Sequence, residues 1–406
     1  MNPLLHQLTQ SFERTFAGPA EAVVVAPGRV NLVGEHIDYH GLPVLPATID
    51  RVVALAFRRR DDRRVNLRNL EPRYPPVEFA VGTRIPAEGR GAWGDYSRAA
   101  AQALEAQAGP LRGIDGLVGS TLPPAAGLSS SSALVVAVAL ALLHDRPAPL
   151  DRLALAELLA RGERYVGLQG GGMDQAVCLA ARRGHAAHIA FRPRLRVTDV
   201  PFPSDWRLVV ASSMSEAAKS GGARAAYNTR VAEGRTALDT VAGLLGRAGQ
   251  LRDYVELLET TAMEDALAMG DRALEGAPQR RYRHILTEAG RVGHAVPALR
   301  AADLERFGEL LSASHASLRD DCEVSTGELD RLVALALAGG AAGARLTGAG
   351  LGGCIVAVAT KETTGRVEDA LWRGYYGPRG VPEASRKDLV FSTVPSEAAR
   401  ILAVEG

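Results

Sequence analysis

Leu122-Pro-Pro-Ala-Ala-Gly-Leu-Ser-Ser-Ser-Ser-Ala-Leu134 reads as a loop that turns into a helix. Pro123 and Pro124 end any regular element before it. Gly127 permits a left-handed backbone or the close approach of another group. Four serines then stand where a helix would begin, and residues 133–143 continue as an unbroken apolar run. A buried helix whose N-terminus is dressed with glycine and serine offers unpaired N–H groups, hydroxyls and the positive end of its dipole. That combination suits an anion, most naturally phosphate. A serine-capped core helix is the plainer reading, and capping accounts for one serine. Four in a row exceed what a cap uses.

The surrounding chain sets bounds on what such a site can serve. With 406 residues there is length for two or three domains and a substantial core. An apolar fraction of 47% with 23% charged residues is ordinary for a soluble globular protein. A net charge of +1 gives no general attraction to nucleic acid or to an anionic membrane. Cys178, Cys322 and Cys354 are far apart and form no CxxC pair, which suggests reduced thiols and a cytoplasmic home. The N-terminus has no basic region followed by a long apolar core, so it does not read as a signal peptide. The run 133–143 is too short for a bilayer, which takes about 20 residues.

Taken in order, residues 4–16 carry apolar groups at helical spacing. A short buried strand over 22–26 is expected to end at Pro27-Gly28, where a polar run to Tyr39 begins. Strands are expected at 44–49, 52–57, 65–70, 116–122 and 185–191, with helices at 93–108 and 151–165, the latter capped by Asp151. Gln169-Gly-Gly-Gly-Met-Asp-Gln175 is a second glycine turn at a helix start. Two prolines between 201 and 205 mark a boundary between domains at 1–200 and 201–406. Beyond it come a strand at 207–212, a polar loop over 213–222, and helices at 225–245, 251–274, 282–292, 302–318 and 329–338. Ala344-Arg-Leu-Thr-Gly-Ala-Gly-Leu-Gly-Gly-Cys354 is a strand running into a glycine turn, with further strands at 355–359 and 391–394. The whole is an α+β pattern.

Several polar or glycine-rich turns therefore punctuate the chain, and the chemistry they suggest is phosphoryl transfer. Such a site combines donors for the phosphates, a metal ligand, a cation for developing charge and a group that orients the acceptor hydroxyl. There is no GxxxxGK[ST] loop. Gly348-Ala-Gly-Leu-Gly-Gly353 lies late in the chain and runs into a strand, which argues against a dinucleotide fold. No HExxH or similar spacing points to zinc.

Pro27-Gly-Arg-Val-Asn-Leu-Val-Gly-Glu-His-Ile-Asp-Tyr39 resembles the signature of galactokinases. The serine stretch resembles the ATP-phosphate motif of the wider superfamily of galactose, homoserine, mevalonate and phosphomevalonate (GHMP) kinases, and Leu346-Thr-Gly-Ala-Gly-Leu-Gly-Gly-Cys354 its third motif. Their order and spacing match over nearly the whole chain. The resemblance implies two α/β domains, an N-terminal one like ribosomal protein S5 and a C-terminal ferredoxin-like one, with the active site in the cleft between them. It implies phosphorylation of α-D-galactose at the anomeric hydroxyl by ATP with Mg²⁺, and no obligate protein partner.

Residue by residue, Asp174 resembles the family's catalytic aspartate and Arg29 its catalytic arginine. A helix start suits the negative charge of the former. Glu35, His36 and Asp38 resemble the sugar-binding group, since carboxylates accept from neighbouring hydroxyls and so separate epimers. Gly171, Gly172 and Tyr227 resemble further sugar contacts. Gly127, Ser129, Ser130, Ser131 and Ser132 resemble the phosphate loop, and Trp93 an aromatic near adenine. Ser131 and Glu163 are the implied Mg²⁺ ligands. Gly348 and Gly350, with Gly352 and Gly353, are expected to pack on the serine loop and close the site. Ile37 and the Gly-Gly-Gly-Met-Asp form resemble a subgroup that includes N-acetylgalactosamine kinases, whereas Tyr227-Asn-Thr-Arg230 resembles galactokinases. A non-catalytic galactose and ATP sensor is the reading from a different class, and the intact Arg29, Asp174 and serine run favour an enzyme.

Overall fold

The computed structural model describes residues 3–89, 92–123, 126–144, 146, 151–167, 169–215 and 221–404, without the side chains of 221–223. Pro124 and Ala125 of the serine stretch, and much of the polar loop expected at 213–222, lie outside these residues.

The chain begins with helix α1 (Pro3–Phe16), whose apolar side places Leu8 and Phe12 on the outer face of a sheet, against Val23, Val25, Ala54, Ala56 and Leu117. That sheet contains β1 (Ala22–Val33), β2 (Leu45–Arg59), β3 (Arg64–Asn69), β4 (Val77–Ala80) and β5 (Ile114–Ser120). Its inner face is covered by α3 (Ser130–Leu142) and α5 (Met173–Ala180), with α2 (Trp93–Ala108) beside α3 and α4 (Arg152–Gly162) packed on α2 and α5. Helix α3 is apolar on every side and is accordingly buried from Ser132 through Ala139. A hairpin of β6 (His185–Ala190) and β7 (Arg196–Pro201) follows.

The second half opens with β8 (Trp206–Ser212) and the helices α6 (Gly221–Leu244), α7 (Tyr254–Thr260), α8 (Met263–Ala273), α9 (Gly276–Arg300), α10 (Leu304–Asp320) and α11 (Gly327–Ala338). It closes with β9 (Gly343–Thr347), β10 (Cys354–Thr360), α12 (Lys361–Leu371), β11 (Val390–Thr393) and β12 (Arg400–Ala403). An antiparallel sheet of order β11-β8-β10-β9 lies at its centre. Leu208, Val210, Val356 and Val358 face the main core, whereas Val209, Ala211, Ile355 and Ala357 face α11 and α12. Both faces are buried, which is why these strands read as continuous apolar runs. The fold is α+β, as the element pattern predicts.

Several local expectations are corrected, among them the helix expected at 251–274, which is two elements, α7 and α8. The first strand does not stop at Pro27-Gly28 but runs on to Val33, with an irregularity in register between Pro27 and Arg29. A Cβ on Gly28 would lie 2.8 Å from the Leu128 carbonyl oxygen, so the glycine marks where the serine loop crosses the strand, not a turn. The strands expected at 44–49 and 52–57 are a single element. Strands β4, β7 and β12 are only four to six residues long and are not among the strands expected from sequence. The last of these crosses back from the second half to pair with β1, making the order of the first sheet β12-β1-β2-β5-β3-β4.

Helix α10 lies directly on β9 through two glycines. A Cβ on Gly308 would sit 2.1 Å from the Ala342 carbonyl oxygen, and one on Gly343 would sit 2.1 Å from that of Gly308. Gly290, on α9, has open space around it. Gly308→Ala should therefore destabilise the protein by about 1–3 kcal/mol through overpacking. Gly290→Ala should stabilise it by about 0.5–1 kcal/mol through lost chain entropy. Urea unfolding midpoints of the two variants check both signs.

Candidate functional site

The serine helix begins without a side-chain cap. Ser129 occupies the N-cap position in a left-handed conformation (φ 59°), and its hydroxyl makes no bond to the helix N–H groups. It donates instead to Asp174 Oδ2 at 2.5 Å. The first N–H groups of α3 are thus left for a ligand, and Ser129, Ser130 and Ser131 line a cleft. Ser132 is turned inward, where its hydroxyl donates to Glu163 Oε1 at 2.9 Å.

Asp174 stands on the first turn of α5, and Arg29 reaches it from β1. Arg29 Nε and Nη2 both lie 2.7 Å from Asp174 Oδ1, while Nη1 donates to the Gly127 carbonyl at 2.6 Å. Burial works against the Arg29 charge, but Asp174 and Glu35 raise its pKa above the usual arginine value. Gly171 packs so closely on the Asp38–Tyr39 backbone that a Cβ would lie 2.3 Å from the Asp38 carbonyl carbon. Only glycine fits there, and the contact brings the carboxylate of Asp38 to the start of α5, where the Met173 N–H donates to it. Burial, with Asp174 and Glu35 nearby, pushes the Asp38 carboxyl up to about 7. Burial, followed by the charge of Asp174, raises Glu163 to about 7 as well.

Glu35 and His36 follow β1 in a loop gripped from the other half of the molecule. Arg345 Nη2 donates to Glu35 Oε2 at 2.7 Å, and the Gly348 N–H donates to the same oxygen at 2.9 Å. Burial raises the Glu35 pKa against the pull of Arg345. His36 Nε2 donates to the Ala349 carbonyl at 3.0 Å, and its Nδ1 accepts from the Tyr39 hydroxyl at 2.8 Å. That pairing is the neutral ring's, in keeping with a pKa pushed down to about 3 by burial. Tyr227, on α6, packs against the rings of His36 and Tyr39, with both centroids 5.4 Å away.

The cleft thus brings together Arg29, Glu35, His36, Asp38, Gly127, Ser129, Ser130, Ser131, Glu163, Gly171, Gly172, Asp174, Tyr227 and Gly350. Gly348 lies behind it, where a Cβ would meet the Gly127 carbonyl oxygen at 2.5 Å. Gly350 backs onto Val324, with a Cβ position 2.3 Å from its carbonyl oxygen. Trp93 is not among the described lining residues; its indole N–H donates to the Pro75 carbonyl at 2.9 Å. Tyr96, one turn further along α2, lines the cleft instead.

Sequence reasoning missed the supports. Glu288 is wholly buried on α9 and accepts from the Gly34 N–H at 2.7 Å and the Ser314 hydroxyl at 2.7 Å, with Arg291 Nε at 2.6 Å. His284 Nε2 donates to the Glu35 carbonyl at 3.0 Å. Arg345 carried the one visible signal, a lone arginine inside an apolar strand.

Three family descriptions match the chain: the galactokinase galactose-binding signature over residues 10–59, the N-terminal domain of GHMP kinases over 95–182, and their C-terminal domain over 295–377. Among solved structures, galactokinase of Lactococcus lactis complexed with galactose is similar at 29% identity and TM-score 0.86, covering 98% of this chain and 99% of that one. The mevalonate kinase of Methanococcus jannaschii shares the fold at 17% identity and TM-score 0.58, covering 92% of this chain and 98% of that one. Phosphomevalonate kinase of Streptococcus pneumoniae, in complex with phosphomevalonate and AMPPNP, does so at 14% identity and TM-score 0.58, covering 86% and 96%.

The buried Glu288 ties acid stability to this site. Arg291, His284 and Arg345 overcome burial and hold its carboxyl down at about 2. A depressed folded pKa gives stability that is present above the unfolded value, about 4.3, and is lost as pH falls through the folded one. Glu288→Gln should therefore lower stability at neutral pH by on the order of 3 kcal/mol. The gap from wild type should narrow as pH is lowered from about 5 toward 3, as read from urea midpoints.

Proposed function

Because the chain belongs to the galactokinase branch of the GHMP kinases, we propose that its cleft transfers the γ-phosphoryl group of ATP to the anomeric oxygen of α-D-galactose. The observation that carries this reading is the sharing of one carboxylate, Asp174, between Arg29 and Ser129 at the mouth of an uncapped helix. An acceptor group and a phosphate cradle stand side by side. Residues 1–200 supply the phosphate loop and the acid-base pair, and residues 201–406 supply the grip on the sugar loop.

In this reading Glu35, His36, Asp38 and Tyr227 hold the sugar, with Gly171 and Gly172 shaping its bed. His36 is neutral, and both its ring nitrogens are engaged by protein groups. It therefore shapes and orients the pocket and leaves discrimination of hydroxyls to Glu35, Asp38 and Tyr227. Asp174 takes the proton from the anomeric hydroxyl. The oxygen's electron pair forms the new bond to the γ-phosphorus, and the bond to the bridging oxygen breaks with its pair leaving on ADP. Arg29 sits where it neutralises the group in flight.

Ser131 and Glu163 fit a magnesium ion. Both are hard oxygen donors on the cleft wall, and one Glu163 oxygen is fixed by Ser132. No cage of three or more His, Cys, Asp or Glu exists among the described residues, which suits a cation completed by phosphate and water. When bound, the ion would offset charge on the phosphate oxygens. No helix among the described residues is long and apolar enough to cross a membrane. Cys178, Cys322 and Cys354 are all free and buried, which suits the reducing cytoplasm.

Asp174→Asn should retain ATP binding and lose about 10²–10⁴-fold in kcat; near-normal turnover would remove Asp174 from the chemistry. Tyr227→Phe should reduce discrimination between galactose and N-acetylgalactosamine, measured as the ratio of their kcat/KM values. An unchanged ratio would dismiss Tyr227 as the selector. Galactose-dependent release of ADP by the wild-type protein is the direct test, and tight binding without turnover would refute the kinase.

A further inference from the structure

The charges around the cleft do not balance for an anionic co-substrate. Its described lining carries four carboxylates, Glu35, Asp38, Glu163 and Asp174, against two guanidinium groups, Arg29 and Arg224. Arg29 is already committed to Asp174. Arg224 is on the N-terminal part of α6, and no hydrogen bond or ion pair joins it to any other described residue. A half-buried guanidinium facing a cleft with no partner is unusual, because its desolvation is left uncompensated.

Its position indicates what it faces. The side chain passes Gly167, with Cδ and Nη1 each 3.8 Å from that residue's Cβ position. The group its charge acts on is Tyr96, whose hydroxyl is hydrogen-bonded to Ser131. Arg224 therefore stands on the serine-loop side of the cleft. Tyr227, three residues on and on the same face of α6, stands beside His36 and Tyr39.

We propose that Arg224 is a phosphate-binding residue of the nucleotide site, its guanidinium engaging the terminal phosphates of ATP next to Ser131. This inference rests on the kinase reading above. A planar, permanently charged fork suits two phosphate oxygens, and it adds to the charge of Arg29, which is shared with Asp174. Helix α6 then presents a phosphate contact and a sugar contact one turn apart, so that both substrates order the same element.

The test measures binding without turnover. Calorimetric titration of the wild-type protein, Arg224→Gln and Arg224→Lys with AMPPNP, ADP and adenosine separates polyphosphate from base recognition. Arg224→Gln should weaken AMPPNP by about ten- to a hundredfold, the worth of a charge-assisted contact. It should leave adenosine and galactose affinities unchanged, and Arg224→Lys should recover part of the loss. AMPPNP binding equal to wild type, or an equal loss for adenosine and AMPPNP, would overturn the proposal. Wild-type protein that releases no ADP with galactose would overturn the kinase reading instead, since the AMPPNP comparison needs no acceptor sugar.

Discussion

Asp174 joins segments that are far apart in the chain. Its carboxylate binds Arg29, 145 residues earlier, and Ser129, 45 residues earlier. One contact thereby fixes the strand that carries the arginine, the start of the helix that offers its N–H groups, and the short helix that carries the acid. Ser129 gives up capping its own helix to make it. An uncapped helix end is normally a weakness. Here it leaves the start of α3 facing the cleft without a side-chain cap.

A second, drier layer holds the Glu35–His36 loop in place. Glu35 is gripped by Arg345 and the Gly348 N–H, while Glu288 takes the Gly34 N–H from behind. Buried ion pairs of this kind are weak evidence for stability, because desolvation offsets much of the attraction. What they supply is position. Gly348 also lies against Gly127, whose carbonyl accepts from Arg29. The Glu35 loop, the third glycine motif, the serine loop and Arg29 are thus consecutive links in one set of contacts.

Much of this was legible in the chain. The apolar run after four serines marked the helix, and Pro27–Tyr39 and Gly170–Asp174 marked the residues that the cleft brings together. What was not legible has a common cause. Glu288 and His284 sit in a helix whose spacing looks ordinary, and their roles exist only because α9 packs behind a loop some 250 residues away. Pro27-Gly28 misled because local chemistry says turn, while the crossing serine loop imposes an irregular strand. Short strands such as β7 and β12 depend on pairing and not on pattern, so tertiary contact decides them.

The pairing of β12 with β1 has a consequence for how the molecule is made. Strand β1 carries Arg29, and residues 400–403 cover the edge of its first part, Ala22 to Val25. During synthesis, that edge stays open to chance partners until residues 400–403 have emerged, long after β1 itself. The strand that carries Arg29 is then sealed by one made far later in the chain. A nascent chain stopped short of it would hold its site residues beside a sheet with an unguarded margin, a form suited to association and disposal.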